Sequence, residues 1–211
     1  MTDQPRISAF ARSLFGPREP LLDTVLRDAL QTGGLRPMQV DDNAARVLQL
    51  LTLLHRPRRV LEIGTFFGFS AIHIARGLPD GGRLSTLEVD ADVAATARRN
   101  LAAAGVADRV DVVVGPAADH LRTLAPLSVD MVFIDAEKTA YPEYLGLAYP
   151  ALAVGGLLIA DDALLRGDFS VEGDEAARSA ISTYLRAVAR SDHLFSALIG
   201  TDNGLLVSLK H

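Results

Sequence analysis

Cysteine is absent from the 211 residues of the chain. Its absence excludes disulfides, thiolate metal sites and cysteine nucleophiles together. Any metal would therefore be held by oxygen or imidazole ligands, and any chemistry would fall to His, Asp, Glu, Lys or Ser. The five histidines are scattered without the spacing of metal ligands, so we interpret each as a surface or packing residue.

The chain also lacks long apolar runs and an excess of basic residues. No apolar run approaches the roughly 18 residues that span a bilayer, and residues 1–10 contain no apolar core of signal-peptide length. Because 21 Lys and Arg face 26 Asp and Glu, the net charge is −5, and no basic stripe stands out. We therefore expect a cytoplasmic protein that binds neither a membrane nor a nucleic acid.

Hydrophobic residues make up 49% of the chain, which is ordinary for a packed globular protein. A length of 211 residues suits one complete core and is short for two. No repeat, low-complexity tract or Pro/Ser-rich linker marks a boundary. We predict a single domain over residues 1–211, in which residues 1–56 form a helical cover and residues 57–211 form an α/β core.

Short β-rich runs alternate with helical segments from Arg58 onward, which is typical of βαβ units that build a parallel sheet. Several runs are apolar almost throughout, as strands covered on both faces should be. Seven strands are predicted, at 59–63, 83–88, 109–114, 129–135, 156–161, 193–199 and 204–209. Only the turn around Thr201 to Gly204 separates the last two, so we predict that they pair antiparallel.

Helices are predicted between the strands, with two more ahead of the sheet that we expect to cover it. Gly105 and the pair Gly155 and Gly156 stand where helix C-caps are preferred. The predicted helices lie at 20–32, 41–55, 71–77, 91–104, 117–124, 141–153 and 174–190. The sequence therefore predicts a doubly wound α/β sheet with extra helices at its N-terminal side.

The first predicted strand runs through Glu62 into a loop with Gly64 and Gly68, the usual place for a nucleotide in such a sheet. A dinucleotide fingerprint needs glycines at 64, 66 and 69, whereas this chain has Phe66 and a phenylalanine at 69. A Walker loop is missing as well. Glu88 ends the second strand, where a carboxylate can accept hydrogen bonds from both ribose hydroxyls of an adenosine. The alternatives are a structural role for Glu62 and a solvated loop end for Glu88.

Two apolar strands end in carboxylates, Asp135 after the first and Asp161 and Asp162 after the second. Because the carboxyl ends of parallel strands share one edge of a sheet, all three can meet beside the glycine loop. Crowded carboxylates bind a cation or share protons, and hard oxygen ligands favour Mg²⁺, with Mn²⁺ or Ca²⁺ as alternatives. Lys138 is close enough in sequence to reach the same edge. Helix caps and a surface lysine are the other interpretations of these residues.

The stretch from Val60 to Ser70 resembles motif I of class I S-adenosylmethionine (SAM) methyltransferases, with a Rossmann-like fold. Its sequence, VLEIGTFFGFS, is similar to the cation-dependent O-methyltransferases that include the catechol and caffeoyl-CoA enzymes. Met38 and Val40 match a Met-x-Val stretch of that family, and the block from Val132 to Tyr144 is similar to its metal and base motif. The resemblance covers the chain from Met38 to its C-terminus.

The resemblance implies roles for particular residues. Glu88 would hold the ribose, Ser70 and Glu62 the methionine end, and the segment around Ala117 the adenine. The remaining implied contacts with SAM come from Met38, Val40, Gly64, Phe66, Gly68 and Asp135. In the family the Asp binds the metal and the Lys removes the substrate proton, which assigns Asp135 and Lys138. Asp161 matches the second metal ligand, whereas Asp162 stands where the family usually has Asn.

The sequence thus predicts a metal-dependent O-methyltransferase that uses SAM and acts on a small or carrier-linked acceptor with a hydroxyl group. A catechol or another acceptor with vicinal oxygens is expected, and the resemblance implies a homodimer. In the proposed reaction the metal lowers the pKa of the hydroxyl group, which displaces the methyl group from sulfur directly. Beside a cation and a sulfonium we expect a lowered pKa for Lys138. The alternatives are a metal-free methyltransferase and a non-catalytic SAM-binding protein on the same fold.

Overall fold

The computed structural model describes residues 7–15, 19–32, 40–164 and 175–211, with side chains throughout these ranges except at 29–32. Their seven strands form one sheet in the order β3-β2-β1-β4-β5-β7-β6. The strands are β1 Arg59–Ile63, β2 Arg83–Glu88, β3 Val110–Val114, β4 Val129–Ile134, β5 Leu152–Ala160, β6 Leu194–Ile199 and β7 Leu205–Lys210. The first five are parallel, and β7 pairs antiparallel with both β5 and β6. The predicted sheet and its antiparallel last pair are confirmed.

The described residues contain eight α-helices, of which three precede the sheet. They are α1 Ile7–Phe15, α2 Pro20–Thr32, α3 Asp42–His55, α4 Phe69–Gly77, α5 Ala91–Ala103, α6 Ala117–Leu121, α7 Tyr141–Ala151 and α8 Glu175–Ala189. Asp41 caps α3 by accepting hydrogen bonds from two backbone N–H groups, and Asp90 caps α5 in the same way. Gly105 follows α5 with φ +69°, as a C-terminal glycine should. Helix α1 was not predicted from the sequence.

Alternate residues of the strands face opposite sides of the sheet, and each side has its own core. On one side Val60 and Met131 pack with α3 and α4, including Leu48 and Ile72. On the other side α7 and α8 cover strand residues such as Val132. Both faces of the central strands are therefore buried, which explains why their sequences are apolar almost throughout. The assignment of the chain to one domain stays a prediction.

The prediction that Gly155 and Gly156 end a helix was wrong. Helix α7 ends at Ala151, and β5 begins at once with Leu152. Its first part is irregular, since Val129 pairs with Leu152 while Met131 already pairs with Leu157. Gly155 has φ +80°, so it supplies a left-handed residue to this irregular stretch of the strand. Within the described ranges no helix is long and apolar enough to cross a membrane.

The order of the strands places a crevice between β1 and β4. From β1 the chain winds outward through β2 and β3, and it then returns to place β4 on the other side of β1. In open α/β sheets, ligands bind at such a reversal, outside the carboxyl ends of the strands. The loops that follow β1 and β4 are therefore the first place to look for a functional site.

Candidate active site

The loop after β1 and the chain after β4 touch each other at this crevice. Gly64 has φ +99°, and a Cβ at this position would overlap the carbonyl oxygen of Asp135. The contact is kept in register because the Asp135 N–H donates to the carbonyl of Ile63 at 2.9 Å. Gly68, with φ +85°, is the N-cap residue of α4. Glycine at 64 is thus needed for both a left-handed conformation and a close approach.

Glu62 lies in the strand directly before this loop and is completely buried. Its Oε2 accepts a 2.6 Å hydrogen bond from Thr86 Oγ1, which is also 2.6 Å from the Thr65 hydroxyl. Its other oxygen has no hydrogen-bond partner among the described residues. Burial raises the pKa of Glu62 to about 7, although the Ser70 and Thr86 hydroxyls act to lower it. A buried carboxylate with a free oxygen is suited to a cationic group of a ligand.

Glu88, at the end of β2, lies beside the same loop. Its Oε2 accepts a 2.8 Å hydrogen bond from the backbone N–H of Phe66, and its Oε1 accepts one of 3.1 Å from Asp90 N–H. Phe66 has a positive φ of 47° and stacks on Phe67 with ring centroids 4.5 Å apart. The carboxylate of Glu88 therefore holds the glycine loop in shape as well as standing at its rim.

The remaining residues predicted to contact a cofactor lie in other segments of the chain. Val40, directly before α3, is buried in the core on the α3 side of the sheet. Ser70 is a buried residue in the first turn of α4, and Ala117 begins α6 after β3. Met38 lies outside the described residues.

Three carboxylates converge beside the loop, as expected from their strand ends. Each of Asp135, Asp161 and Asp162 offers one oxygen, and these oxygens all lie within 4.8 Å of one another. Asp161 is 2% exposed, and its Oδ1 has no hydrogen-bond partner in the described part of the chain. Asp162 has φ +61°, a left-handed conformation that Asp and Asn tolerate better than most residues. The residues therefore form a compact set of hard oxygen donors.

Lys138 reaches into the same cluster from the 3₁₀ turn after β4. Its Nζ lies 2.8 Å from Asp135 Oδ1 and 2.6 Å from Asp162 Oδ2. Its third neighbour is the hydroxyl of Tyr141, at 3.0 Å. The Tyr141 hydroxyl itself lies 3.2 Å from the carbonyl of Ile134 and 3.4 Å from that of Asp161. The buried tyrosine thus links the lysine to the ends of both strands that carry the aspartates.

The charges in the cluster perturb one another strongly. Burial raises the pKa of Asp161 well above its ordinary value, and the neighbouring carboxylates of Asp135 and Asp162 add to the effect. Burial alone would lower the pKa of Lys138, but the two carboxylates that it contacts outweigh burial and raise it well above the usual range. The lowered pKa expected from the sequence concerns a site that also holds a cation and a sulfonium, and it stays a prediction.

Two groups of this site were not assigned a role from the sequence. The first is Thr86, which stands opposite Glu62 in the register of β1 and β2. The available signal was a threonine between apolar neighbours near the end of β2, but its partner Glu62 can be identified only from the strand register. The second is Tyr141, whose position three residues after Lys138 places the two side chains on one side of a turn.

The fold and this edge of the sheet define an α/β enzyme of the nucleotide-cofactor type with an acidic cluster beside the cofactor loop. The family model for O-methyltransferases matches residues 15–211. A catechol O-methyltransferase of Mycobacterium tuberculosis is 39% identical over 197 residues, which are 93% of this chain and 89% of that protein. The chain therefore belongs to the O-methyltransferase family, as its motifs indicate.

Solved structures agree with this assignment. The O-methyltransferase TomG from Streptomyces achromogenes, in complex with SAM, is 32% identical with a TM-score of 0.84. The match covers 97% of this chain and 95% of TomG. An O-methyltransferase from Bacillus cereus in complex with SAH is 28% identical, with a TM-score of 0.83 and 97% of each chain covered.

Proposed function

We propose that this O-methyltransferase transfers a methyl group from SAM to a hydroxyl of a small acceptor, with a divalent metal bound by Asp135, Asp161 and Asp162. The observation that carries the proposal is the convergence of these three carboxylates, within 4.8 Å, beside the loop around Gly64. The relatives that bind SAM or SAH share the fold and a quarter or more of the sequence, which supports SAM as the methyl donor.

The proposed cofactor site uses the residues around the glycine loop. Gly64 and Gly68 let the backbone approach the cofactor, and Glu88 stands at the end of β2, where a ribose is held in such folds. Glu62, with one unpaired oxygen, is the proposed partner of the charged methionine end, together with Ser70. Lesser contacts are proposed for Met38, Val40, Phe66, Ala117 and Asp135.

The donor atoms of the acidic cluster fit a hard divalent cation. All are carboxylate oxygens, which Mg²⁺ prefers, with Mn²⁺ and Ca²⁺ as alternatives. The unpaired and buried Oδ1 of Asp161 supports this choice, since an orphaned carboxylate oxygen is costly without a cation. A bound divalent ion would supply positive charge that favours the ionised form of an acceptor hydroxyl.

The transfer itself is a direct displacement, in which the acceptor oxygen bonds to the methyl carbon while the bond from that carbon to sulfur breaks. The hydroxyl proton is assigned to the Nζ of Lys138, which lies inside the acidic cluster at 2.8 Å from Asp135 Oδ1 and accepts the proton as the neutral amine. The positive charges of a bound cation and of the sulfonium would favour that neutral form. The same nitrogen donates a hydrogen bond to the Tyr141 hydroxyl at 3.0 Å, which helps to hold it in place. The chain's main contribution is to place donor and acceptor along one line.

The acceptor is proposed to be a catechol or another small or carrier-linked molecule with vicinal oxygens. The catechol O-methyltransferase of Mycobacterium tuberculosis supports the first choice by its similarity over most of both chains. Vicinal oxygens would let one molecule reach both the metal and Lys138.

The experiment that tests the function is a screen of vicinal diols with labelled SAM, run with Mg²⁺ and with EDTA. We expect turnover that EDTA abolishes and Mg²⁺ restores. Asp135→Ala should abolish metal-dependent turnover while SAM binding, measured by calorimetry, stays close to that of the unchanged protein. Asp111→Ala removes an exposed carboxylate from β3 and serves as the control. Turnover that resists EDTA would select a metal-free methyltransferase, and SAM binding without any turnover would select a non-catalytic protein.

A homodimer is proposed as well, on the basis of the family resemblance and of an apolar surface on α1 and α3. Arg12 of α1 pairs with Asp42 of α3, so the two helices lie side by side. Several large apolar side chains on them are more than half exposed, namely Phe10, Leu14, Leu50, Leu53 and Leu54. Apolar patches of this kind commonly mark interfaces. Light scattering coupled to size-exclusion chromatography would give the mass in solution.

A further inference from the structure

The three carboxylates of the acidic cluster are not equivalent. Asp135 and Asp162 each have an oxygen in contact with the Lys138 ammonium, at 2.8 and 2.6 Å. Asp161 has no such partner, and its buried Oδ1 makes no hydrogen bond to any described residue. A single lysine is thus shared by two of the carboxylates, whereas among the described residues Asp161 forms no ion pair with it and feels its charge only from a distance.

Any cation that uses all three aspartates has to share two of them with the lysine. The ammonium and a divalent ion are both positive, and the cluster is largely shielded from water. The exposed fractions of the side chains are 20% for Lys138, 12% for Asp135 and 14% for Asp162. Repulsion between like charges is strong in such surroundings because water screens it poorly. The lysine and the cation therefore oppose each other at the same two carboxylates.

We propose that Lys138 is a built-in competitor of the divalent ion, so that its positive charge weakens metal binding at Asp135 and Asp162. This inference rests on the proposed metal site and adds to it a role for the lysine that is separate from proton transfer. Among the described residues Asp161 forms no ion pair with the lysine, so a cation can bind Asp161 without displacing the lysine from it. Metal affinity then depends on the lysine as well as on the ligands.

Tyr141 gives Lys138 a contact that does not involve Asp135 or Asp162. Its hydroxyl lies 3.0 Å from Nζ, and the nitrogen stands 5.1 Å from the centre of its ring. The hydroxyl and the ring face both favour a positive nitrogen. Lys138 can therefore give up its two carboxylate contacts to a cation and keep Tyr141 as a partner.

The test is the binding of Mn²⁺ to the full chain, followed by electron paramagnetic resonance and by calorimetry, with no acceptor or SAM present. We expect Lys138→Met to bind Mn²⁺ about tenfold or more tightly than the unchanged protein, because a positive charge has been removed beside the ligands. Lys138→Gln should do the same if the methionine variant folds poorly. Lys138→Arg keeps the charge and should stay within about threefold of the unchanged protein. Thermal unfolding and circular dichroism establish that each variant is folded.

A double-variant cycle makes the test specific to the two shared carboxylates. Asp162→Asn suits the left-handed backbone at that position and removes one of the two contested carboxylates. It should weaken Mn²⁺ binding, and Lys138→Met should then have a smaller effect than in the unchanged protein. Equal Mn²⁺ affinities for the lysine, methionine and glutamine forms would overturn the competition and leave the metal site standing. If no form binds Mn²⁺, the metal site itself is refuted, and the competition with it.

Discussion

Replacement of Glu62 by glutamine tests the carboxyl group that lies directly before the glycine loop and whose pKa burial raises. Glu62 is fully buried beneath the loop, and burial raises its pKa to about 7 from an ordinary value of 4.5. An acid with a raised pKa in the folded state binds its proton more tightly there than in the unfolded state. Its contribution to stability is therefore complete below pH 4.5 and is lost as the pH rises through 7.

The size of the loss follows from the shift of the pKa. Between pH 4.5 and 8 the ionisation of Glu62 should cost about 3 kcal/mol, of which less than about 1 kcal/mol has been lost at pH 5. Glu62→Gln is neutral at every pH and escapes this loss. The glutamine also places an amide where Oε1 has no partner, which costs about 1–3 kcal/mol at all pH values. Only the pH-dependent part of the difference in free energy of unfolding therefore reports on the ionisation of Glu62.

The assay is urea unfolding of both proteins, without ligands, at pH 5, 6, 7 and 8. The difference in free energy of unfolding between Glu62→Gln and the unchanged protein should move by about 2 kcal/mol in favour of the variant across this range. Contributions from other groups cancel in the difference when they do not contact residue 62. Asp111→Asn controls for the loss of one negative charge. A difference that stays constant within about 0.5 kcal/mol would refute the reasoning.

The same substitution tests the proposed role of Glu62 toward SAM. A positively charged methionine end favours the ionised carboxylate, so SAM affinity of the unchanged protein should rise as the pH goes from 6 to 8. The glutamine variant should bind SAM more weakly and without this dependence. Calorimetric titrations at the same pH values give the comparison.

Two further predictions concern His73 and Tyr141. Burial, with Arg76 and Arg46 nearby, lowers the pKa of His73 to about 4, so the stability it contributes is complete above pH 6.5 and is lost as the pH falls toward 4. The free energy of unfolding, measured with urea, should fall with decreasing pH by about 3 kcal/mol less in His73→Gln than in the unchanged protein. The same dependence of this free energy on pH in both proteins would contradict the prediction. Tyr141→Phe removes a contact of Lys138 Nζ and should lower kcat on the order of tenfold. The KM for SAM should stay within about twofold, and a change confined to KM would count against this role.

The bounds of some strands could be predicted from the sequence, because residues at or next to the strand ends mark them. β1 and β2 have the predicted bounds: each starts at an arginine, and β1 ends just before Gly64. β5 began earlier than predicted because its start depends on an irregular pairing with β4 around Val129. Such a shift depends on the pairing of two strands and produces no hydrophobic periodicity in the sequence of either one.

The location of the acidic cluster was predictable for a general reason: parallel strands that end in carboxylates bring them to one edge. The contacts among the residues of the cluster were harder to predict from the sequence. The contacts of Lys138 with Asp162 and Tyr141 depend on the turn after β4 and on the left-handed backbone of Asp162. The family resemblance suggested roles for these residues, but the sharing of one ammonium by two carboxylates becomes visible only in three dimensions.

The contact between Gly64 and the backbone of Asp135 restricts how such a protein can be altered. Residue 64 belongs to the loop proposed to hold the methyl donor, and residue 135 to the strand end that carries an aspartate of the cluster. Since the glycine has no room for even one added carbon, the loop cannot be rebuilt at this point without displacing the aspartate. An engineer who wishes to change the proposed donor site therefore has to redesign both strand ends as one unit.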